Sequence, residues 1–163
     1  IDDEIQVSGP NVMKGYWNNE IATKEVLVER DNKTWYKTGD GGYVKDGFLF
    51  YTGRNSYNYK LSNGKFVNVE LVESVVKDHI KCNCVVFTKD GVDNELIVSR
   101  EITDEFLEVI NRDLNKYLKI NKAHWLKESD WEKYFTPKMS IKRKNLIQDL
   151  MDNKLDLFVI ERF

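Results

Sequence analysis

The sequence predicts an α+β fold, in which a β-rich segment precedes a small mixed domain. Short apolar runs separated by glycine turns occupy residues 1–54. Strong helical periodicity of apolar residues begins only after residue 68. The order strand, helix, strand, strand, helix over residues 57–120 is typical of a small α+β domain. We therefore divide the chain into a β-rich segment, residues 1–54, and an α/β segment, residues 55–163.

The β-rich segment contains several short strands, most of them ended by glycine or polar turns. Alternation of apolar and polar residues predicts the first strand over residues 4–7. A short helix with Asn19 as its N-cap is expected over residues 21–30. A strand over residues 35–38 is expected to end at the glycine turn that follows it, and a hairpin is expected over residues 43–52.

The α/β segment alternates strands and helices. Asn63 and Gly64 are a typical tight turn between two short strands. Asn68 is the expected N-cap of a helix that ends near His79, because valines recur on one of its faces. The structure of residues 123–134 stays open. Periodicity and turn residues predict the other elements: strands over 82–87 and 95–99, a helix from Thr103 to Leu118, a basic loop over 136–144, a helix over 145–151 and an apolar tail over 157–160.

Composition excludes several classes of protein. A net charge of -2 gives no indication of a nucleic-acid or membrane-surface binder. No apolar run approaches the roughly 20 residues that a membrane-spanning helix needs. Two cysteines do not make a disulfide framework, which favours a reducing, cytoplasmic setting. His79, Cys82 and Cys84 fit zinc-ligand spacings poorly, so we expect no metal site.

Three groups of residues are candidates for binding a nucleotide. Asp40 follows a glycine, and its carboxylate can accept hydrogen bonds from a ribose diol; the alternative is a turn aspartate bonded to its own backbone. Arg54 can reach a ribose or phosphate oxygen, or be an ordinary surface residue. The basic loop offers a phosphoryl transition state four cations, or is a solvated positive face. The four are Lys138, Lys142, Arg143 and Lys144. On sequence grounds these alternatives stay open.

A polar joint at Asn55 and Ser56 separates the two segments. Arg54, Lys60 and Lys65 place positive charge on both sides of it. A joint flanked by cations suits a site that rearranges around a phosphate or a nucleotide.

Five segments follow one another along the chain: GPNVMKGYWNN, WYKTGDGGYV, GFLFYTGR, YKLSNGKFV with VE following, and FTPKMSIKRKNL. In this order they resemble the C-terminal third of the AMP-forming adenylating enzymes. That superfamily includes acyl-CoA synthetases, luciferases and the adenylation domains of peptide synthetases. The last two segments look most like the long-chain fatty acyl-CoA synthetase branch. The resemblance covers nearly the whole chain, to about Leu150.

The resemblance implies that the parent protein is a ligase. With Mg and ATP it converts a long-chain fatty acid into an acyl-adenylate and pyrophosphate; it then transfers the acyl group to the thiol of CoA and releases AMP. Residues 1–54 would be the truncated end of the N-terminal adenylating domain, and residues 55–163 the mobile C-terminal lid. Because the chain starts at Ile1, inside a predicted strand, we interpret it as a fragment. The family's glycine-rich phosphate loop, acyl tunnel and magnesium-binding carboxylate are missing from these residues, so we expect the chain to be inactive alone.

The resemblance also implies roles for individual residues. Asp40 matches the aspartate that binds the ribose, and Arg54 matches the arginine that contacts the nucleotide. Ser56 stands at the hinge, where aspartate or lysine is usual. Lys60 matches the lysine used for thioester formation. The turn at Gly64, with Lys65 beside it, would line the CoA channel.

One position departs from the pattern in a way that affects catalysis. The lysine that serves adenylation in this branch is replaced by Ser140. Lys142 or Lys138 is therefore the expected substitute; the alternative is a protein that adenylates poorly. The magnesium site would lie mainly in the N-terminal domain that these residues do not include.

Two alternatives to a CoA ligase stay open. One is a non-catalytic descendant that binds a nucleotide or a partner protein. The other is a ligase that passes the acyl group to a carrier protein. We expect no nucleic-acid partner and a cytoplasmic location, and a peripheral association of the full-length enzyme with membranes stays open.

Overall fold

The computed structural model describes the backbone of residues 4–161 and the side chains of residues 4–159. The chain forms two compact units that divide after Asn58. We call the first the β unit and the second the α+β unit. The division predicted from the sequence, after residue 54, lies a few residues earlier. The assignment of these units to the two domains of a larger enzyme stays a prediction.

One long strand, β3, organises the β unit. It pairs antiparallel with β1, β2 and β4. Helix α1 is short, and Asn19 caps it as predicted, because its Oδ1 accepts the N–H of Ala22 at 3.0 Å. The elements are β1 Glu4–Ser8, α1 Glu20–Val26, β2 Leu27–Arg30, β3 Lys33–Lys45 and β4 Phe48–Arg54.

Two sequence predictions for the β unit were wrong. The helix expected over residues 21–30 ends at Val26, because Leu27–Arg30 pairs with β3 instead. Strand β3 does not end at the glycine turn but runs through it, with a bulge between Gly41 and Gly42. A Cβ on Gly42 would lie 2.7 Å from the carbonyl oxygen of Phe50, so only glycine lets the strands approach this closely.

A four-stranded sheet forms the centre of the α+β unit. Its strand order is β10-β9-β8-β7, with β8 and β9 parallel and the other pairs antiparallel. Strands β5 and β6 make a separate two-stranded hairpin. The elements are β5 Tyr59–Lys60, β6 Phe66–Val67, α2 Val69–His79, β7 Cys84–Phe87, β8 Asn94–Val98, α3 Asp104–Arg112, β9 Ile120–Trp125, α4 Glu128–Trp131, α5 Arg143–Met151 and β10 Phe158–Glu161.

The α+β class and helix α2 are confirmed, and three boundaries need correction. Strand β7 begins at Cys84, two residues later than predicted. Helix α3 ends at Arg112, well before Leu118, because the Asn111 amide bonds the N–H and the C=O of Ile120, each at 2.8 Å, and ties the chain to a new strand. Helix α5 begins at Arg143, which shortens the basic loop to residues 136–142.

Alternate residues of the sheet enter two apolar clusters on its opposite faces. The first cluster, packed under α2 and α3, includes Val86 and Leu96. The second, packed under α4 and α5, includes Val85, Ile97 and Trp131. None of the helices described is long and apolar enough to cross a lipid bilayer.

Candidate active site

Asp40 and Arg54 form an ion pair in the β unit. They are register partners on β3 and β4, so strand pairing alone brings their side chains to one place. The Nε of Arg54 lies 3.0 Å from Oδ1 of Asp40. The carboxylate side chain is 27% exposed and the guanidinium side chain 48%, so both groups are open to a ligand.

Backbone contacts hold this pair in place. The Nη1 of Arg54 donates to the carbonyl oxygen of Thr38 at 2.9 Å. The Thr38 hydroxyl donates to the carbonyl of Ile5 at 2.7 Å and accepts the N–H of Asp40 at 3.1 Å. Gly39, with φ of 75°, supplies the left-handed backbone between them. The carboxylate of Asp40 therefore bonds a guanidinium, and contacts with Asp40 and Thr38 hold Arg54 in place.

The pair offers a nucleotide an acceptor and a fork of donors. A carboxylate can accept both hydroxyls of a ribose diol, and guanidinium N–H groups can donate to ribose or phosphate oxygens. A separate cleft of about 490 Å³ lies beside β2 and the start of β3, with Met13, Lys14 and Glu29 among its lining residues. Asp40 and Arg54 do not line that cleft.

Ser56, the expected hinge position, lies in an exposed turn directly after β4. The N–H of Tyr57 donates to the carbonyl of Arg54 at 3.1 Å and closes this turn. Small exposed residues in a turn can absorb large backbone rotations.

The β5–β6 hairpin carries Lys60, Gly64 and Lys65, all exposed. Gly64 has φ of 80°, and no heavy atom lies within 4 Å of the position its Cβ would take. The Nζ of Lys65 lies 5.9 Å from the centre of the Tyr117 ring, a cation–π contact.

Two hydrogen bonds fix this hairpin to the rest of the α+β unit. The N–H of Ser62 donates to the carbonyl of Gly91 at 2.6 Å, and the hydroxyl of Tyr59 donates to Oδ1 of Asn94 at 2.8 Å. Burial, with smaller contributions from the charges of Glu73 and Glu95, raises the pKa of Tyr59, which therefore stays a donor at neutral pH.

The basic loop presents Lys138 and Lys142 as exposed side chains. Its ends are tied together, because the N–H of Lys142 donates to the carbonyl of Tyr134 at 2.7 Å, and the N–H of Thr136 to that of Ser140 at 2.8 Å. The loop thus has a defined backbone, with Lys142 at the point where helix α5 begins.

The two lysine-bearing segments lie on opposite faces of the sheet. Leu61 and Val67 anchor the β5–β6 hairpin in the first cluster. Tyr134, Ile141 and Leu146 anchor the flanks of the basic loop in the second cluster. Lys60 and Lys142 are therefore not brought together within this unit.

Sequence reasoning missed Glu73, whose carboxylate pairs with Arg143 inside the α+β unit. A signal was present, because Glu73 lies on the same helix face as Val69, Val72 and Val76. A charged residue within an apolar stripe points to a buried partner. Among the described residues, no group of three or more metal-ligating side chains could hold a metal ion.

Comparisons with known proteins identify relatives of the chain over about half its length. It is 41% identical over 70 residues to the D-alanine–D-alanyl carrier protein ligase of Bacillus mycoides, covering 43% of this chain and 14% of that protein. It is 44% identical over 77 residues to the 2-succinylbenzoate–CoA ligase of Bacillus licheniformis, covering 47% and 15%. No family model matches the chain.

A solved structure extends the similarity to most of the chain. O-succinylbenzoate coenzyme A synthetase from Bacillus subtilis, in complex with AMP, matches with a TM-score of 0.70 and 27% identity, covering 88% of this chain and 29% of that one. The same enzyme in complex with ATP and magnesium ion matches with a TM-score of 0.69.

These similarities support a place for the chain in the adenylate-forming superfamily. The long-chain fatty acid branch of the superfamily gains no specific support, because these two relatives are ligases of D-alanine and of 2-succinylbenzoate. The chain spans about one seventh of the length of the two curated relatives.

Proposed function

We propose that this chain is the C-terminal part of an ATP-dependent ligase, which adenylates a carboxylic acid and passes the acyl group to a thiol. The observation that carries the proposal is the Asp40–Arg54 pair, 3.0 Å apart and open to solvent, in a chain related to CoA and carrier-protein ligases. The relatives' solved complexes with AMP, and with ATP and magnesium ion, favour the same nucleotide chemistry and magnesium for this protein.

Two half-reactions follow from this proposal. In the first, a carboxylate oxygen of the acid attacks the α-phosphorus of ATP, and pyrophosphate leaves. In the second, the sulfur of the acceptor attacks the acyl carbonyl carbon, and AMP leaves with the bonding electron pair. Asp40 would hold the ribose hydroxyls, and Arg54 would donate to the nucleotide.

The exposed lysines suit different steps. Lys142, or Lys138 in the same loop, would offset the negative charge that develops during adenylation, in place of the lysine that Ser140 replaces. Lys60, on the opposite face of the sheet, would serve thioester formation, with Gly64 and Lys65 beside the acceptor. A lid that turns about Ser56 can present one face and then the other.

The acid and the acceptor are further proposals. We propose a long-chain fatty acid as the acid, on the form of the segments YKLSNGKFV and TPKMSIKR. CoA and a carrier protein have equal support as acceptors, because the relatives include ligases of both kinds. We also propose a cytoplasmic location and, for the complete protein, a peripheral association with membranes.

The test uses the complete protein to which this chain belongs. ATP–pyrophosphate exchange is measured with a long-chain fatty acid, an aromatic acid and an amino acid, and thioester formation is then measured with CoA and with a carrier protein. Exchange with one of these acids supports the proposal. Absence of exchange with all of them would favour a non-catalytic nucleotide-binding descendant.

Single substitutions distinguish the lysines that serve adenylation from a neighbouring lysine that does not. Lys142→Ala or Lys138→Ala should slow exchange by about 100-fold or more, the effect of removing one charge-stabilising donor, whereas Lys144→Ala should leave it unchanged. Thioester formation from acid, ATP and CoA by residues 1–163 alone would refute our expectation that this chain is inactive by itself.

A further inference from the structure

We infer that Glu73 and Arg143 are positioning residues, whose buried ion pair sets the place of Lys142 and of the basic loop. The inference deepens the proposed function and rests on it for the role of Lys142. Its structural part, that the pair holds the loop, stands on the geometry of the α+β unit alone.

Glu73 is a nearly fully buried carboxylate with two partners. The residue lies on α2 and is 2% exposed. Its Oε1 accepts the N–H of Val86 at 2.8 Å. Its Oε2 bonds Nη2 of Arg143, whose side chain is 12% exposed. Both oxygens are thus used, as a buried charge requires.

The carboxylate of Glu73 accepts its backbone hydrogen bond at the β7 edge of the sheet. Strand β7 pairs with β8 on one side only, and the N–H of Val86 points to the other side, where Glu73 accepts it. Helix α2 covers the first cluster and α5 covers the second. The Glu73–Arg143 contact therefore passes around the β7 edge and joins the layers on the two faces of the sheet.

Helix α5 depends on this carboxylate because its own first turn is cationic. Lys142 is the N-cap residue and makes no side-chain capping bond, and Arg143 and Lys144 follow it. No acidic residue lies in that turn. The positive end of a helix dipole disfavours cations, and a nearby carboxylate offsets this. Glu73 supplies that negative charge from α2.

The pair is also adjacent in sequence to the loop. The backbone N–H of Lys142 bonds Tyr134, and the N–H of Arg143 bonds the carbonyl of Ile141 at 2.9 Å. Loss of the Glu73 charge would loosen the first turn of α5 and with it the backbone that fixes Lys142. A residue that merely stabilises the unit would instead affect all of its parts equally.

Hydrogen–deuterium exchange on the 163-residue chain tests the structural part. In Glu73→Gln we expect the amide of Lys142 to exchange at least about tenfold faster, because breaking a buried pair is strongly destabilising. The amides of the central strand β8 should accelerate by a smaller factor, because they exchange only when the whole unit opens. Glu101→Gln, which removes an exposed carboxylate of the same unit, is the matched control for charge. It should change neither the exchange rate of the Lys142 amide nor the rates of the β8 amides.

A second variant keeps the test decisive if Glu73→Gln fails to fold. Arg143→Lys retains the charge but loses the planar fork, and should accelerate Lys142 exchange by a smaller factor. Unchanged exchange at Lys142 in a folded variant overturns the inference. Equal acceleration throughout the α+β unit overturns it too, because it would assign the pair a general stabilising role.

Half-reaction kinetics on the complete protein test the role of Lys142. Glu73→Gln should lower kcat for ATP–pyrophosphate exchange at least about tenfold, with acyl transfer from a supplied acyl-adenylate changed less than about twofold. An equal fall in both half-reactions contradicts the inference. If the unaltered protein shows no exchange with any acid, the proposed function fails, and hydrogen exchange still decides whether the pair holds the loop.

Discussion

The Asp40–Arg54 pair is better suited to recognition than to stability. Both groups are in contact with water, so solvent screening leaves an ion pair of this kind worth about 0.5 kcal/mol or less. Its geometry nevertheless comes from strand pairing and is kept by the bond from Arg54 to Thr38. A side-chain arrangement that is fixed but contributes little to folding is available for a ligand.

Replacement of Asp40 should therefore separate binding from stability. In Asp40→Asn we expect AMP affinity of the complete protein to fall about 10- to 100-fold, the loss of charge-assisted hydrogen bonds, measured by titration calorimetry. The urea midpoint of the chain should hardly move. Asp46→Asn, in the exposed turn of the same β3–β4 hairpin, is the control and should leave both values unchanged. Unaltered AMP affinity in Asp40→Asn would exclude this carboxylate from the nucleotide site.

Cys84 gives the α+β unit a distinct alkaline pH dependence. Burial, and next the charge of Glu73, raises the pKa of its thiol to about 12, from an ordinary value near 9. The folded state thus favours the neutral thiol. This contribution is complete below pH 9 and is lost as the pH rises through the interval up to about 12.

Replacement of Cys84 should change how steeply the free energy of unfolding depends on pH. Above pH 9, the free energy of unfolding of the natural chain should fall more steeply with pH than that of Cys84→Ala, by up to about 1.4 kcal/mol per pH unit. Urea titrations at several pH values between 8 and 11 measure both slopes (a range chosen from the shift in pKa). Tyr59, whose pKa is also raised, is present in both proteins and contributes equally to the two slopes. Parallel slopes would show that Cys84 is not buried as described.

At the residue scale, the sequence motif and the chemistry of the side chains indicated Asp40 and Arg54 as candidates for binding a nucleotide. The register of β3 and β4 brings the two side chains into contact. Neither could predict the partner of Glu73. Arg143 lies 70 positions later in the chain, and the two meet only after α2 and α5 pack on opposite faces of one sheet. Contacts of that kind depend on tertiary structure. The spacing of apolar residues predicts helices and strands but does not predict which side chains meet when they pack.

At the scale of elements, helix α2 shows what the sequence specifies well. Its valines share one face, and the Oδ1 of Asn68 accepts the N–H of Leu71 at 3.1 Å. Strand β9 shows the opposite case. Its residues, Ile120–Trp125, have mixed polarity, and the strand exists because β8 and β10 pair with it on both sides. Pairing with neighbours, which overrides local preference, also accounts for β2.

The N-cap of α2 can be tested directly. Asn68→Ala should lower the free energy of unfolding of the α+β unit by about 1 kcal/mol, because the N–H of Leu71 loses its acceptor. Urea unfolding monitored by circular dichroism measures the change. Asn115→Ala is the matched control, since Asn115 precedes a short 3₁₀ turn without a side-chain capping bond. An equal loss in both variants would contradict a capping role for Asn68.

At the scale of the whole molecule, buried apolar side chains are distributed unequally. Both apolar clusters lie in the α+β unit. In residues 4–58 of the β unit, Gly41 and Gly53 are the only buried residues, and neither has a side chain to bury. Backbone pairing therefore holds that unit with little help from apolar burial, and a unit of this size is marginal even with a good core.

This imbalance predicts the order in which a protease attacks the chain. Chymotrypsin cleaves after aromatic residues, and each unit exposes one to a similar degree: Tyr51 is 54% exposed and Phe66 is 52% exposed. Side-chain exposure alone would give similar cleavage rates. Because cleavage needs local unfolding, we expect cleavage at Tyr51 to be at least about tenfold faster than at Phe66, whose hairpin is anchored in the first cluster. Mass spectrometry of a time course identifies the cut sites, and a resistant fragment starting close to Asn58 should accumulate. Equal rates at the two sites would mean that the β unit opens no more readily than the α+β unit, and that strand pairing stabilises it as well as an apolar core would.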